Sequence, residues 1–200
     1  MLYLQRTSHF RLEEMELGPV SRISIPNPES APEGSKPLLE AVHKKLGVVP
    51  NLFRVAALSP AALQGLLSLN GALAKTLDVK TRERIAIAVA EANGCDYCLS
   101  AHTYLGLNLA KITPEDAALA RKGASTDVKA AAAVRFAVEV AKSRGGVSDA
   151  NLTAVKQAGF TEAQIVEIVA LVAENVFTNF LNKVAQTDID FRVLHTAEAA

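Results

Sequence analysis

The sequence predicts an all-α protein, and three observations carry that expectation. Ala and Leu dominate the composition, and both favour helix. No stretch sustains the period-2 alternation that a sheet needs. Helix start and stop signals punctuate the chain almost from end to end. Half of the 200 residues are hydrophobic but only 5% are aromatic, and Trp is absent. That is material for one domain, or for two closely packed halves, with a core of small aliphatic side chains.

Residues 1–35 carry Pro19, Pro26, Pro28 and Pro32 among scattered Ser and Gly. They read as an N-terminal arm or loop region, with a short helical piece near Glu13–Leu17; residues 36–200 read as the helical domain. A first amphipathic helix runs from about Pro37 to Leu46 and closes at Gly47. Pro50 opens a short helix, Asn51–Leu58. Ser59-Pro60 starts the next, reaching about Lys75, because Ser caps well and Pro suits the first helical position. Thr81 caps a helix that ends at Asn93-Gly94, where Gly takes the left-handed conformation that stops it. The following helix starts at Cys95 or Asp96 and reaches about Ala110. Thr113-Pro114 opens a short one ending at Gly123, and the Ala- and Val-rich Asp127–Arg144 closes at Gly145-Gly146. Ser148 caps a helix to Gly159. Thr161 and Gln164 form a capping box opening a long last helix to about Val184.

At an offset of 80, Thr81, Ile85, Val89 and Ala90 meet Thr161, Ile165, Val169 and Ala170, and Tyr97 meets Phe177. This suggests two related helical hairpins about a pseudo-twofold, although apolar helices also share letters by chance. In such a repeat Cys95 and Cys98 face Asn175 and Thr178, and Glu83 faces Ala163, so only the first copy holds reactive groups.

Lys plus Arg number 21, as do Asp plus Glu. Zero formal charge gives no support to binding nucleic acid or an anionic membrane. The first 20 residues are charged throughout and lack the apolar core of a secretion signal. The greasiest run, Ile165–Val172, is interrupted by Glu167, so no membrane span is expected. Two cysteines three residues apart are not the disulfide framework of a secreted domain. The expected compartment is the cytoplasm, and a neutral, apolar chain is expected to self-associate.

The chemistry concentrates in Glu91–His102. Cys95 and Cys98 lie on one helical face with Cα atoms about 5 Å apart, within disulfide range. They occupy a helix start, where free N–H groups and the dipole favour a thiolate. His102 lies one turn beyond Cys98 on the same face. Glu83 is eleven residues before Gly94 and His102 eight after it, so an antiparallel hairpin brings them to about the same level. A carboxylate, an imidazole and two thiols are the parts of a proton relay that makes a thiol nucleophilic.

Glu83 followed by Cys95, Tyr97, Cys98 and His102 resembles the E-x11-C-x-[HY]-C-x3-H signature of the alkylhydroperoxidase D-like proteins, within the carboxymuconolactone decarboxylase superfamily. The resemblance runs from Pro50-Asn51-Leu52-Phe53 through Phe177-Thr178-Asn179-Phe180 to Asp188-Ile189-Asp190-Phe191 and is strongest to the peroxidase-related branch. It implies an all-helical AhpD-like fold, a homotrimer or homohexamer, and a thiol peroxidase activity that needs no bound cofactor. It implies Cys98 as the peroxide-attacking thiol, Cys95 as its resolving partner, and Glu83 with His102 as the relay. A hydroperoxide would be the substrate and an external dithiol the reductant. The best-studied members have His where this chain has Tyr97, and Tyr is not a base near neutral pH.

Each piece also has a plainer reading. Cys95, Cys98, His102 and Glu83 could supply a zinc site, but there is no second C-x-x-C, so no metal is expected. Haem attachment fails because Leu99 follows Cys98. His9, His43 and His195 read as solvated surface residues, and Lys80–Arg84 as a solvated helix start. Tyr97 and Tyr104 read as walls of the site, and Asn179 and Asn182 as lining a pocket or a subunit contact. Three functions remain in order: a thiol-dependent hydroperoxide reductase, a carboxymuconolactone decarboxylase-type enzyme, which does not depend on C-x-x-C, and a non-enzymatic oligomeric thiol redox sensor.

Overall fold

A computed structural model of the chain describes residues 21–197. The helical piece expected near Glu13–Leu17, and His9, lie outside these residues. The described residues are all-α, with no strand. The helices are α1 (Lys36–Leu46), α2 (Asn51–Ala56), α3 (Pro60–Leu73), α4 (Val79–Ala92), α5 (Asp96–Leu105), α6 (Pro114–Arg121), α7 (Val128–Ser143), α8 (Asp149–Gln157) and α9 (Glu162–Ala185). Residues 21–35 contain two short 3-10 turns, Pro28–Ser30 and Glu33–Ser35. They are tied to the helical body: Arg54 Nε donates to Pro26 O at 2.9 Å, and buried Ser35 donates to Ala57 O at 2.7 Å.

The centre of the fold is α4. Its consecutive residues Ile85 to Ala90 are all buried, which no surface helix allows. One side meets α7, α8 and α9 through Ile85, Val89, Val134, Phe136, Val155 and Ile168. Another side meets α5 and α6 through Ile87, Leu99, Ala117 and Ala120. Alanines at 86, 88 and 90 let these neighbours approach closely. A third cluster joins α1, α2 and α3 through Leu39, Ala57 and Leu63.

The caps explain most boundaries, and they correct some. Asp78, not Thr81, caps α4: its Oδ1 accepts from Thr81 N at 3.0 Å, so the helix starts earlier and Thr81 is buried in its first turn. Beyond Leu105 the α-helix gives way to a π-helical turn, Gly106–Ala110, instead of continuing to Ala110. Gly106 is pressed against Ile112, and a Cβ there would lie 2.9 Å from its Cδ1. The second proposed hairpin does not exist. α9 is unbroken from Glu162 to Ala185, because Glu174 stands where the offset places Gly94, and a left-handed glycine is what a hairpin turn requires.

By length and composition α9 is apolar enough to cross a membrane, contrary to the sequence expectation. Here it is a core helix, with Ile165, Ile168, Leu171 and Val172 in the main cluster. Its buried polar residues, Glu174, Asn175, Thr178, Asn179 and Asn182, also face the protein interior.

Arg84 is not part of a solvated helix start. It is 7% exposed and donates through Nε to Asp116 on α6, itself 2% exposed. Asp116 also accepts from Ser125 Oγ at 2.8 Å and Thr126 N at 2.9 Å. Burial pushes the Asp116 carboxyl up, but these bonds and the Arg84 charge outweigh it and hold it below the usual value. Asp116→Ala should cost about 3–5 kcal/mol in urea unfolding, because it strands a buried guanidinium. A carboxyl lowered by folding stabilises above its unfolded value of about 3.9, and this contribution disappears as pH falls through the folded value. The acid limb of the stability profile should therefore be shallower in Asp116→Asn than in the wild type.

Candidate active site

The site is built around the turn between α4 and α5. Gly94 takes φ +63° and closes α4, and Cys95 N then donates back to Ala90 O at 3.0 Å. This leaves Cys95 extended as the N-cap of α5, and its sulfur accepts from Cys98 N at 3.4 Å. A thiol thus fills the place usually held by Ser or Asp. Both sulfurs are reduced and both residues are at most 2% exposed.

α4 and α5 run antiparallel from this turn, and eleven residues back along one helix meet eight along the other. His102 Nδ1 lies 3.0 Å from Glu83 Oε2 and donates to it. With Nδ1 committed to the carboxylate, Nε2 is the nitrogen left to exchange protons. Their side chains are 26% and 17% exposed, so this pair forms the open edge of an otherwise buried site.

The other wall comes from α9. Asn182 Nδ2 donates to Cys98 Sγ at 3.2 Å. Asn179 Oδ1 accepts from Asn93 Nδ2 at 2.8 Å, and Lys183 Nζ donates to Asn93 O at 2.6 Å, clamping the turn to α9. Further along α9, Glu174 accepts from Asn70 Nδ2 at 2.8 Å.

The electrostatics separate the two thiols. Cys98 falls to about 6, chiefly because the Cys95 thiol hydrogen-bonds to it; burial opposes this, and the His102 charge and the Asn182 and Asn179 amides reinforce it. The same bond, then burial and the Cys98 charge, push Cys95 far up. The partner thiol and the α9 amides thus act on Cys98 beside the helix start. Burial pulls His102 down, but the charge and hydrogen bond of Glu83 outweigh it and the net shift is upward. Burial raises Glu174.

Tyr97 packs in the same buried cluster as the two cysteines, with its hydroxyl turned towards α2. Its hydroxyl accepts from Leu52 N at 3.0 Å, and its ring meets Phe191 edge-on at 5.9 Å. Burial first, and the nearby Asp190 next, push its hydroxyl pKa up, so it stays protonated. Tyr104 lies against the same Phe191 at 5.8 Å.

Three contributions escaped the sequence reading. Asn182 is a sulfur ligand rather than a generic pocket residue. Glu174 is a buried carboxyl, 8% exposed, in the same polar row. His195 is exposed, as expected, but it also has a partner: its Nδ1 lies 2.8 Å from Asp96 Oδ2, while Thr196 N and Oγ1 both donate to Asp96 Oδ1 at 2.8 Å. The C-terminal segment is thereby strapped over the start of α5, with Leu194 N donating to Ser100 Oγ at 2.9 Å. The available signal was Glu174, Asn175, Asn179 and Asn182 in a helix otherwise apolar enough for a core, since buried polar groups need partners.

A model of the carboxymuconolactone decarboxylase family matches residues 60–143, from the start of α3 to the end of α7. No curated protein matches the chain. Among solved structures, the chain is similar to the alkylhydroperoxidase AhpD core of a peroxidase-related protein from Ralstonia eutropha JMP134. The identity is 26% over 86% of this chain and 93% of that one, with a TM-score of 0.76. A peroxidase-related protein from Silicibacter sp. TM1040 shares 22% identity over 84% of this chain and 91% of that one, TM-score 0.73. The debrominase Bmp8 shares 20% identity over 84% and 91% respectively, TM-score 0.71, a likeness of fold. Residues 60–143 thus match the carboxymuconolactone decarboxylase family, and the chain as a whole shares the helical architecture of AhpD-like, peroxidase-related proteins.

Proposed function

We propose that this protein reduces hydroperoxides with Cys98 as the attacking thiol and Cys95 as its resolving partner. The observation that carries the reading is the contrast between the two sulfurs: Cys98 is lowered to about 6 while Cys95 is held protonated, beside the hydrogen-bonded Glu83–His102 pair. A low thiol pKa supplies a nucleophile at neutral pH, and a protonated neighbour supplies the hydrogen bond that stabilises it.

The Cys98 thiolate attacks the terminal, hydrogen-bearing oxygen of the peroxide. The O–O bond breaks, Cys98 becomes a sulfenic acid, and the alkoxide leaves. His102, whose proton affinity Glu83 raises, donates the proton that turns alkoxide into alcohol. The Cys95 sulfur then attacks the sulfenic sulfur, its proton leaves with the hydroxyl as water, and a Cys95–Cys98 disulfide forms. An external dithiol reduces it by exchange, becoming a disulfide itself. Such a cycle suits a reducing compartment such as the cytoplasm.

The protein is proposed to act as a homotrimer or homohexamer. Supporting this, Val166, Val169, Phe177, Phe180 and Val184 recur at three- and four-residue intervals (or their multiples) on α9 and are all exposed, Phe180 by 54% and Val184 by 62%. A continuous apolar stripe on a long helix suits burial against another subunit.

Cys98→Ser should abolish peroxide consumption, whereas Cys95→Ser should react once and stall as a sulfenic acid, detectable by dimedone labelling. Loss of the first step in Cys95→Ser instead would reverse the assignment. Glu83→Gln should keep both thiols yet slow the reaction by about 10²–10⁴. Alkylation of Cys98 against pH should inflect near 6, and His102→Ala should move that inflection upward, towards the ordinary thiol value of about 8.5. Phe180→Glu should shift the assembly towards the 21.2 kDa monomer in sedimentation.

A further inference from the structure

Two amides of α9 are buried at the thiol with one polar atom each left over. Asn182 is 3% exposed and Asn179 is fully buried. Asn182 spends Nδ2 on Cys98 Sγ, but its Oδ1 is buried without a partner. Asn179 spends Oδ1 on Asn93 Nδ2; its Nδ2 is near enough to Cys98 to help lower it, yet it is buried with no partner within hydrogen-bond geometry. The residues are one turn apart on the same helix, so the face towards Cys98 presents one unused acceptor and one unused donor. Leaving such groups unsatisfied inside a protein costs about 1–3 kcal/mol each. Apolar side chains would have filled these positions more cheaply, as Ile165, Ile168, Leu171 and Val172 do in the first half of α9.

We infer that Asn182 and Asn179 form the receptor for the –O–O–H group, with Asn182 Oδ1 accepting from its hydroxyl and Asn179 Nδ2 donating to its inner oxygen. The inference rests on the reductase reading and deepens it. A hydroperoxide has one donor hydrogen on the terminal oxygen and an acceptor on the inner one, which is the complement of the unused pair. Holding the hydroxyl on Asn182 places the terminal oxygen next to the sulfur that the same amide touches through Nδ2. Bond formation between sulfur and that oxygen and cleavage of O–O then leave the hydrogen on the new Cys98 sulfenic acid. That hydroxyl keeps its acceptor on Asn182 Oδ1. The inner oxygen departs as alkoxide, which Asn179 Nδ2 hydrogen-bonds until His102 protonates it. The recognised chemistry is the hydroperoxyl group itself, so hydrogen peroxide and alkyl hydroperoxides share the site, and the organic portion contributes only through room at the Glu83–His102 edge.

The test compares two reagents on Cys98 of the reduced full-length protein, followed by rapid mixing and mass mapping. tert-Butyl hydroperoxide needs the receptor, whereas iodoacetamide needs only the thiolate. Both rates are measured well above the Cys98 inflection of each variant, so that thiolate content is equal. Asn182→Ala and Asn179→Ala should each lower the peroxide rate about tenfold or more and leave the iodoacetamide rate within about threefold, the loss expected for a hydrogen bond to the reacting group. Asn182→Asp, which is isosteric and guards against loss of fold, removes the donor to sulfur but keeps an acceptor oxygen. It should raise the Cys98 inflection and retain the wild-type ratio of the two rates within about threefold. Parallel changes of both rates in the alanine variants, or no change in either, would overturn the receptor while leaving the thiol chemistry intact. A wild-type protein that alkylates at Cys98 but does not react with peroxide would overturn the reductase reading and the receptor together.

Discussion

The left-handed turn at Gly94 is the constraint on which the site depends. It ends α4, lets Cys95 N reach back to Ala90 O, and leaves Cys95 as the extended cap of α5. Three consequences follow from this one backbone conformation. The Cys95 sulfur is held near the Cys98 amide, both sulfurs share one buried end of a helix, and the register of the hairpin brings Glu83 to His102. A side chain with a Cβ at residue 94 would be strained in this conformation and would also approach Lys183 Nζ to 3.4 Å.

Fold and chemistry pull in opposite directions along α9. Its apolar residues join α4 and α7 in the main core, and its long hydrophobic character holds the domain together. Yet the same helix carries a buried carboxyl and buried amides towards α5, at a desolvation cost that a purely structural helix would avoid. Asn182 offsets part of that cost by hydrogen-bonding the Cys98 sulfur, and Glu174 by accepting from Asn70. The row runs from the buried thiols towards the partly exposed Glu83–His102 edge, where the site meets solvent.

Asp96 shows how the rest of the chain is tied to this end of α5. It stands between the cysteines in sequence, but its carboxylate points to the C-terminal segment, accepting from Thr196. Burial raises its carboxyl, but the Thr196 and His195 hydrogen bonds and the His195 charge outweigh it, and the net shift is downward. Arg121 extends the clasp, donating to His195 O at 2.7 Å and pairing with Glu91 at the end of α4. The segment thus covers the thiol-bearing turn with directional bonds rather than with apolar packing alone.

Local chemistry determined much of this in advance. The helices, their caps at Ser59, Thr113, Asp127, Ser148 and Thr161, the stop at Gly94 and the Glu83–His102 register are all readable from residue types and spacing, because each depends on atoms within a few turns of one another. The four groups Glu83, Cys95, Cys98 and His102 were legible for the same reason. What depends on distant parts of the chain was not. Arg84 looks like a surface residue until α6 brings Asp116 to it. An 80-residue likeness suggested a second hairpin, but without a glycine at 174 the backbone has no reason to turn, and α9 stays whole. The amide on Cys98 comes from 84 residues away, and the segment over Asp96 from about 100. The sequence by itself determined which groups could be brought together; tertiary packing decided which of the two thiols is the lower, since that rests on the Cys95–Cys98 hydrogen bond and on amides from a helix no local pattern places there.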